Sequence, residues 1–222
     1  MPEEAIKYNF SAEPTGVHML MAKEVAPGSK VLDIGCASGY LGEFLIREKQ
    51  CEVCGVEPEI NGYKAALDKG YKLIINQSIE SSLRDQLLSF EKFDYILLAD
   101  VLEHLVSPEE IIGQLKKFLN ENGKILISLP NVAHYSIRFS LLRGNWNMSD
   151  WGILDRTHLH FYTLKTGKDF IEKGWYVVEK IRPRGDLERW FKKIGLESVG
   201  RKLLFWWPEF WAVQFVFTVK RK

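Results

Sequence analysis

The sequence predicts a doubly wound α/β fold built on a mostly parallel sheet. Short apolar runs alternate with amphipathic stretches over about the first 130 residues. A turn rich in small residues, Gly35-Cys36-Ala37-Ser38-Gly39, joins the first apolar run to the first amphipathic stretch. Acidic residues stand at the ends of three of the apolar runs, at Asp33, Glu57 and Asp100. Strands that alternate with helices need crossover connections, so they pair in parallel and are covered on both faces.

Lys30-Val31-Leu32-Asp33-Ile34-Gly35 reads as the first buried strand. Residues 40–49 place Leu41, Phe44 and Leu45 at helical spacing. Residues 51–57 form a second strand, and residues 59–69 a second helix stopped by Gly70. A third strand spans 72–76, with a helix near 83–90 after it. Residues 93–100 form the fourth strand, and its helix spans 108–119, with Pro108 suited to a first turn. Asn122-Gly123 turns the chain into a fifth strand over 124–129.

The pattern changes after Pro130. Residues 132–142 look helical, and 143–162 form a polar, aromatic, loop-like insertion. Thr163 caps a helix that runs to Lys173 and ends at Gly174. A sixth strand spans 176–182, residues 183–202 are basic and poorly patterned, and a final strand covers 212–220. The chain thus reads as one domain over 1–222, with insertions at 143–162 on the substrate side and at 183–211.

With 222 residues, 46% of them hydrophobic, there is enough material for one sizeable core. The formal net charge of +1 gives no support to nucleic-acid binding, which calls for a clear positive excess. Met1-Pro2-Glu3-Glu4 lacks the basic and apolar regions of a signal peptide, and the three cysteines are few and odd in number. Both point to a cytoplasmic, reducing setting. Cys51 and Cys54 have CxxC spacing, but no second ligand pair accompanies them, and they read as buried strand cysteines. Residues 203–219 include Pro208, Glu209, Gln214 and Thr218 and fall short of a transmembrane span.

The turn after the first strand sits where open α/β sheets bind ligands, outside the carboxyl ends of the strands at the point where strand order reverses. Its small residues let backbone approach a ligand closely. A dinucleotide site wants GxGxxG, so that a helix N-terminus meets a pyrophosphate. Here glycines fall at 35, 39 and 42 and alanine stands at 37, with Asp33 inside the turn-forming strand. That acid suits a cationic amino-acid moiety better than a pyrophosphate. Glu57, 24 residues after Asp33, can accept hydrogen bonds from two ribose hydroxyls, each worth about 1.5–3 kcal/mol. A nicotinamide site carries an acid at a similar distance, so Glu57 does not separate the two cofactor classes.

Asp33-x-Gly35-x-Ala37-x-Gly39 resembles the glycine-rich motif of class I S-adenosylmethionine-dependent methyltransferases, with alanine at the middle glycine. The resemblance covers nearly the whole chain. It implies a Rossmann-like, seven-stranded sheet whose last strand is antiparallel, with S-adenosylmethionine as cofactor and S-adenosylhomocysteine as product. The cofactor residues it implies are Asp33, Gly35, Cys36, Ala37 and Gly39, then Glu57 and Pro58, Ser78 and Ile79, and Asp100 and Val101. Ser78 stands where the family often has an aspartate for the adenine amino group, so the Ser78 hydroxyl, the Ile79 backbone or Glu80 takes that part. Asp100-Val101-Leu102-Glu103-His104 resembles the corresponding segment of small-molecule methyltransferases of the ubiquinone-biosynthesis type. His104 then faces the cofactor or the acceptor. A cation site on Glu103 and His104 alone is weakly supported, and no metal is expected.

Residues 154–163, Leu-Asp-Arg-Thr-His-Leu-His-Phe-Tyr-Thr, resemble a segment of bacterial methyltransferases of this subgroup, many of them associated with glycans or natural products. Polar residues interleaved with aromatics suit a substrate wall. His158 is the candidate base, because histidine titrates near neutrality and can take a proton from an acceptor hydroxyl. Asp155 or Glu103 can orient it. A competing reading has Asp155, Arg156 and His158 only pinning the loop. The expected activity is methyl transfer to a small molecule, with oxygen as the methylated atom. The rivals are a non-catalytic nucleotide-binding module and a nicotinamide-binding domain.

Between 180 and 202 lie eight basic and three acidic residues, followed by Phe205, Trp206, Trp207, Phe210 and Trp211. Basic residues beside tryptophans suit an anionic membrane surface, giving peripheral contact without a span. The preferred expectation is that these aromatics fill the core or a homodimer interface.

Overall fold

The computed structural model describes residues 16–82, 92–173, 176–187, 191, 193 and 195–222. The helix expected near 83–90 lies outside the described residues. The chain runs α1 (Val17–Glu24), β1 (Lys30–Ile34), α2 (Tyr40–Lys49), β2 (Glu52–Val56), α3 (Ile60–Ala66), β3 (Leu73–Ile75), α4 (Ile79–Ser82), β4 (Phe93–Ala99), α5 (Pro108–Leu115) and β5 (Leu119–Pro130). It continues through α6 (Tyr135–Leu142), α7 (Leu164–Glu172), β6 (Tyr176–Arg184), α8 (Glu197–Trp206), α9 (Pro208–Trp211) and β7 (Gln214–Arg221).

The seven strands form one sheet in the order β3-β2-β1-β4-β5-β7-β6. β1 to β5 pair in parallel, and β7 is antiparallel to both β5 and β6. The expected seven-stranded, mostly parallel sheet with an antiparallel last strand is the one observed. Alternate residues of the central strands feed two cores. Leu32, Ile34, Val56, Leu98, Ile127 and Phe217 join Ile111, Leu115 and Ile171 from α5 and α7 on one face. Val31, Val53, Leu97, Leu126 and Val216 meet Met21, Leu41 and Leu45 from α1 and α2 on the other. Cys51 belongs to the second core and Cys54 to the first, so the CxxC pair is split across the sheet and all three cysteines are buried and unpaired. The Thr163 cap is a full capping box, with Thr163 Oγ1 accepting the Thr166 N–H at 3.1 Å and Thr166 Oγ1 accepting the Thr163 N–H at 2.9 Å.

Several boundaries differ from expectation by a few residues, and two of the differences have a clear physical reason. β5 begins at Leu119 rather than after Gly123, and its pairing with β4 slips between Phe93 and Tyr95. The extra residues loop out, Asn120 Nδ2 reaches Asp94 at 2.6 Å, and a Cβ at Gly123 would lie 2.9 Å from the Phe93 carbonyl oxygen. The glycine serves close backbone approach inside a bulge, not the turn expected to lead into the strand. The unpatterned stretch 183–202 also holds structure. β6 runs on through Pro183, which its edge position tolerates, and α8 follows from Glu197. No helix among the described residues is long and apolar enough to cross a membrane.

Candidate active site

β1 and β4 are adjacent in the centre of the sheet, and their outgoing chains lead to opposite flanks. This is the topological switch point, and the two loops leaving it face each other across it. In the loop after β1, Gly35, Ala37 and Gly39 all have positive φ, at 69°, 47° and 75°. The loop is anchored by Gly35 and Cys36 N–H groups donating to the Val56 carbonyl at 2.8 and 3.2 Å. A Cβ on Gly35 would come within 2.8 Å of Val101 Cγ2, and one on Gly39 within 2.9 Å of Ala66 Cβ. Gly35 is therefore small because the loop after β4 lies directly against it.

Three acids ring this crevice, each held differently. The buried Glu57 carboxylate accepts the Ala37 N–H at 2.6 Å through Oε2 and the Glu59 N–H at 2.8 Å through Oε1. Burial raises its pKa, and these two bonds work the other way. Each oxygen keeps acceptor capacity for a ligand hydroxyl. Asp33 is buried and accepts the Tyr71 hydroxyl at 2.7 Å, while desolvation lifts its pKa to about 7. Asp100 has φ of 56°, and its Oδ1 accepts from Ser128 Oγ at 2.6 Å and from Gln214 Nε2.

The remaining cofactor candidates are placed as follows. Cys36 is buried behind the loop, and burial pushes its thiol up, so it packs and does not ionise. Pro58 presents its carbonyl to Asn76 Nδ2 at 3.1 Å, and the same amide holds the Glu57 carbonyl at 2.8 Å. Ser78 shares a 2.8 Å hydrogen bond with Ser81 and accepts its N–H at 3.3 Å, starting α4. The Ile79 side chain lies in the core, which leaves its backbone to meet a ligand. Val101 seals the loop pair from above Gly35.

The 143–162 insertion folds back onto the loop after β4. Leu159 and His160 N–H groups both donate to the Glu103 carbonyl, at 2.8 and 3.1 Å. His104 Nδ1 lies 3.2 Å from the Thr157 carbonyl, and His158 Nδ1 lies 3.1 Å from the Ile153 carbonyl. A carbonyl can only accept, so both rings carry their proton on Nδ1 and present Nε2 as a lone pair. The rings meet edge to face at 4.8 Å. Burial, and then the neighbouring His104 ring, lowers the His158 pKa. Beside them Glu103 is 0% exposed, and neither carboxyl oxygen has a hydrogen-bond partner among the described residues. Burial and the Asp100 charge lift its pKa well above the carboxylate range, so the neutral acid is the favoured form. Glu103, His104 and His158 offer ligand atoms within 4.8 Å of one another, a donor set chemically able to hold a divalent cation.

The structure thus gathers His104 and His158 with Asp100 and Val101, across from Gly35. Asp155 lies near enough for its charge to raise the His158 pKa against the effect of burial. Its Oδ1 accepts the Thr157 N–H and hydroxyl at 2.9 and 2.7 Å, and Arg156 pairs with Asp150, so these two pin the loop. Tyr71, Ser128 and Gln214 are site residues that the sequence did not reveal. Their only signals are a tyrosine just before the third strand and polar residues within otherwise apolar fifth and seventh strands.

A sequence model described as a methyltransferase domain matches residues 11–200. Ubiquinone biosynthesis O-methyltransferase of Pasteurella multocida is 36% identical over 115 residues, covering 47% of each chain. The enzyme of the same name from Psychrobacter arcticus is 29% identical over 166 residues, covering 70% of this chain and 60% of that one. The chain spans about half the length of the curated relatives it matches. Among solved structures, a SAM-dependent methyltransferase from Archaeoglobus fulgidus superposes with a TM-score of 0.61 at 18% identity, covering 91% of this chain and 89% of that one. One from Geobacter sulfurreducens, in complex with S-adenosyl-L-homocysteine, gives 0.61 at 16% identity and coverages of 96% and 92%.

Proposed function

Given that the chain belongs to the methyltransferase-domain family and has the fold of S-adenosylmethionine-dependent enzymes, we propose that it methylates an oxygen of a small-molecule acceptor. The observation that carries the cofactor reading is Glu57. Its carboxylate occupies the Ala37 N–H at 2.6 Å, inside the turn where a dinucleotide-binding loop would offer free donors to a pyrophosphate. A buried carboxylate there repels phosphate and favours a ligand with hydroxyls and positive charge. S-adenosylmethionine is such a ligand, carrying a ribose, an α-amino group and a sulfonium whose methyl is electrophilic and whose leaving group is neutral. Asp33, Asp100 and Glu57 line the crevice with carboxyl oxygens, and Gly35, Ala37 and Gly39 give it bare backbone.

The chain's contribution to the reaction is alignment and proton removal. Glu57 and Pro58 hold the ribose end, the Ser78–Ile79 backbone borders the adenine, and Gly35 to Gly39 with Asp100 and Val101 border the amino-acid end. His158 Nε2 takes the proton of the acceptor hydroxyl, and His104 packs against it to fix the ring. Residues 143–162 act as the substrate-side wall of a single domain over 1–222, and residues 183–211 as a second insertion. The relatives named for O-methylation support oxygen as the atom modified. Buried, unpaired cysteines support a cytoplasmic setting.

Calorimetric titration with S-adenosylhomocysteine, with NAD as control, tests the cofactor. Binding of the first and not the second is expected. Tighter binding of NAD, or none of S-adenosylhomocysteine, overturns the reading. Transfer of a labelled methyl group to a panel of hydroxylated small molecules then tests the acceptor class, and its loss in His158→Ala tests the base.

A further inference from the structure

The helix α8 is built inside out on its solvent side. Gly200 and Leu204, four residues apart, face inward: a Cβ on Gly200 would lie 2.7 Å from the Leu187 carbonyl oxygen, and Leu204 packs in the main core. The residues on the far side of the same helix are Val199, Lys202, Phe205 and Trp206, where a surface helix ordinarily carries only polar side chains. Phe205 is 76% exposed, Trp206 83% and Trp207 57%. The face is extended and stiffened by α9, since Trp207 stacks on Phe210 at 4.8 Å and Arg138 of α6 lies over the Phe210 ring at 5.7 Å.

We infer that this face docks on the surface of an anionic phospholipid bilayer. Three observations select that occupant. Large aromatics with basic residues beside them, here Arg201 and Lys202, match the interfacial zone, where rings sit at headgroup depth and cations meet phosphates. Arg201 and Lys202 are themselves exposed on α8, so their positive charge is available to such a surface. A second copy of the chain fits less well, because a two-fold pairing through this face gathers four cations, Arg201 and Lys202 of each copy, into one interface. The face also has a fixed relation to the active site. β6 and β7 meet at Arg184 and Gln214, and Gln214 pairs with Pro130 at the carboxyl end of β5. The α8–α9 connection therefore springs from the edge of the sheet that carries Gly35 and Asp100.

Co-sedimentation with phosphatidylcholine–phosphatidylglycerol vesicles, against phosphatidylcholine alone, tests the inference. The protein is expected to pellet at least tenfold more with the anionic vesicles, and the excess to fall at high salt. The double substitution Phe205→Ser, Trp206→Ser should abolish binding, and Lys202→Glu should weaken it, with melting temperature and S-adenosylhomocysteine binding unchanged. Equal pelleting with both vesicle types, or variants that pellet like the parent, overturns the inference. A dimer that the double substitution converts to monomer, without vesicle binding by either, overturns it in favour of a subunit interface.

Discussion

The Tyr71 hydroxyl donates to Asp33 Oδ2 at 2.7 Å, and this bond is the only polar contact between the buried Asp33 side chain and another side chain among the described residues. Room for the phenol is made by glycines, since a Cβ on Gly42 would fall 2.1 Å from its oxygen and one on Gly55 would fall 3.0 Å from its ring. Removing the hydroxyl strands a buried acid. Tyr71→Phe is expected to cost about 1–3 kcal/mol, read as a lowered urea midpoint at unchanged slope. An unchanged midpoint would show that water replaces the phenol.

Asp33 also gives stability a pH dependence of definite sign. Its folded pKa, about 7, stands above the ordinary aspartate value of 3.8, because burial penalises the charged form. The folded state therefore binds the proton more tightly than the unfolded chain. The stability this contributes is full below the unfolded pKa and is lost as pH rises toward the folded value, at up to about 1.4 kcal/mol per pH unit. Glu103, raised in the same direction, adds to the loss. Denaturation from pH 4 to pH 7 should show declining stability, and Asp33→Asn should flatten that decline. A slope of opposite sign in the parent would mean that lowered carboxylates such as Glu24 and Glu43 dominate.

The central sheet was legible because its strands are buried on both faces and read as unbroken apolar runs, and because Gly35, Glu57 and Asp100 stand at strand ends where loops begin. Two things hid the rest. α8 carries apolar residues on its outward face as well as inward, so the apolar character of Phe205 and Trp206 does not report which side of the helix is buried. The partners of the site acids lie far away in sequence, with Tyr71 38 residues from Asp33 and Gln214 114 residues from Asp100, and no local pattern reports a pairing across a sheet. The aromatics at 205–207 were expected in a core or an interface, and their exposure removes the core.

If His158 is the base, its Nε2 acts while Nδ1–H is held by the Ile153 carbonyl. His158→Ala should lower kcat by about 10²–10⁴ and leave S-adenosylhomocysteine affinity within twofold, roughly the scatter expected for a group that touches only the acceptor. Its pKa is lowered by burial, so the acid limb of the parent's pH–rate profile should lie below 6.5. A profile that keeps that limb in His158→Ala would assign the proton to another group.

Gly35 and Val101 lock the two loops of the switch point together, and a double-mutant cycle can isolate that lock. Gly35→Ala adds a Cβ 2.8 Å from Val101 Cγ2 at a φ of 69°. It therefore carries two costs, a clash and about 1–2 kcal/mol of left-handed backbone strain. Val101→Ala removes the clashing methyl and leaves the strain in place. S-adenosylhomocysteine affinity should fall by roughly tenfold or more in Gly35→Ala, where 1.4 kcal/mol corresponds to a factor of ten. The double variant should recover only the clash component, so the two substitutions couple favourably. Strict additivity would mean that the loops are not in contact when ligand binds. Full affinity in Gly35→Ala alone would remove the turn from the cofactor site.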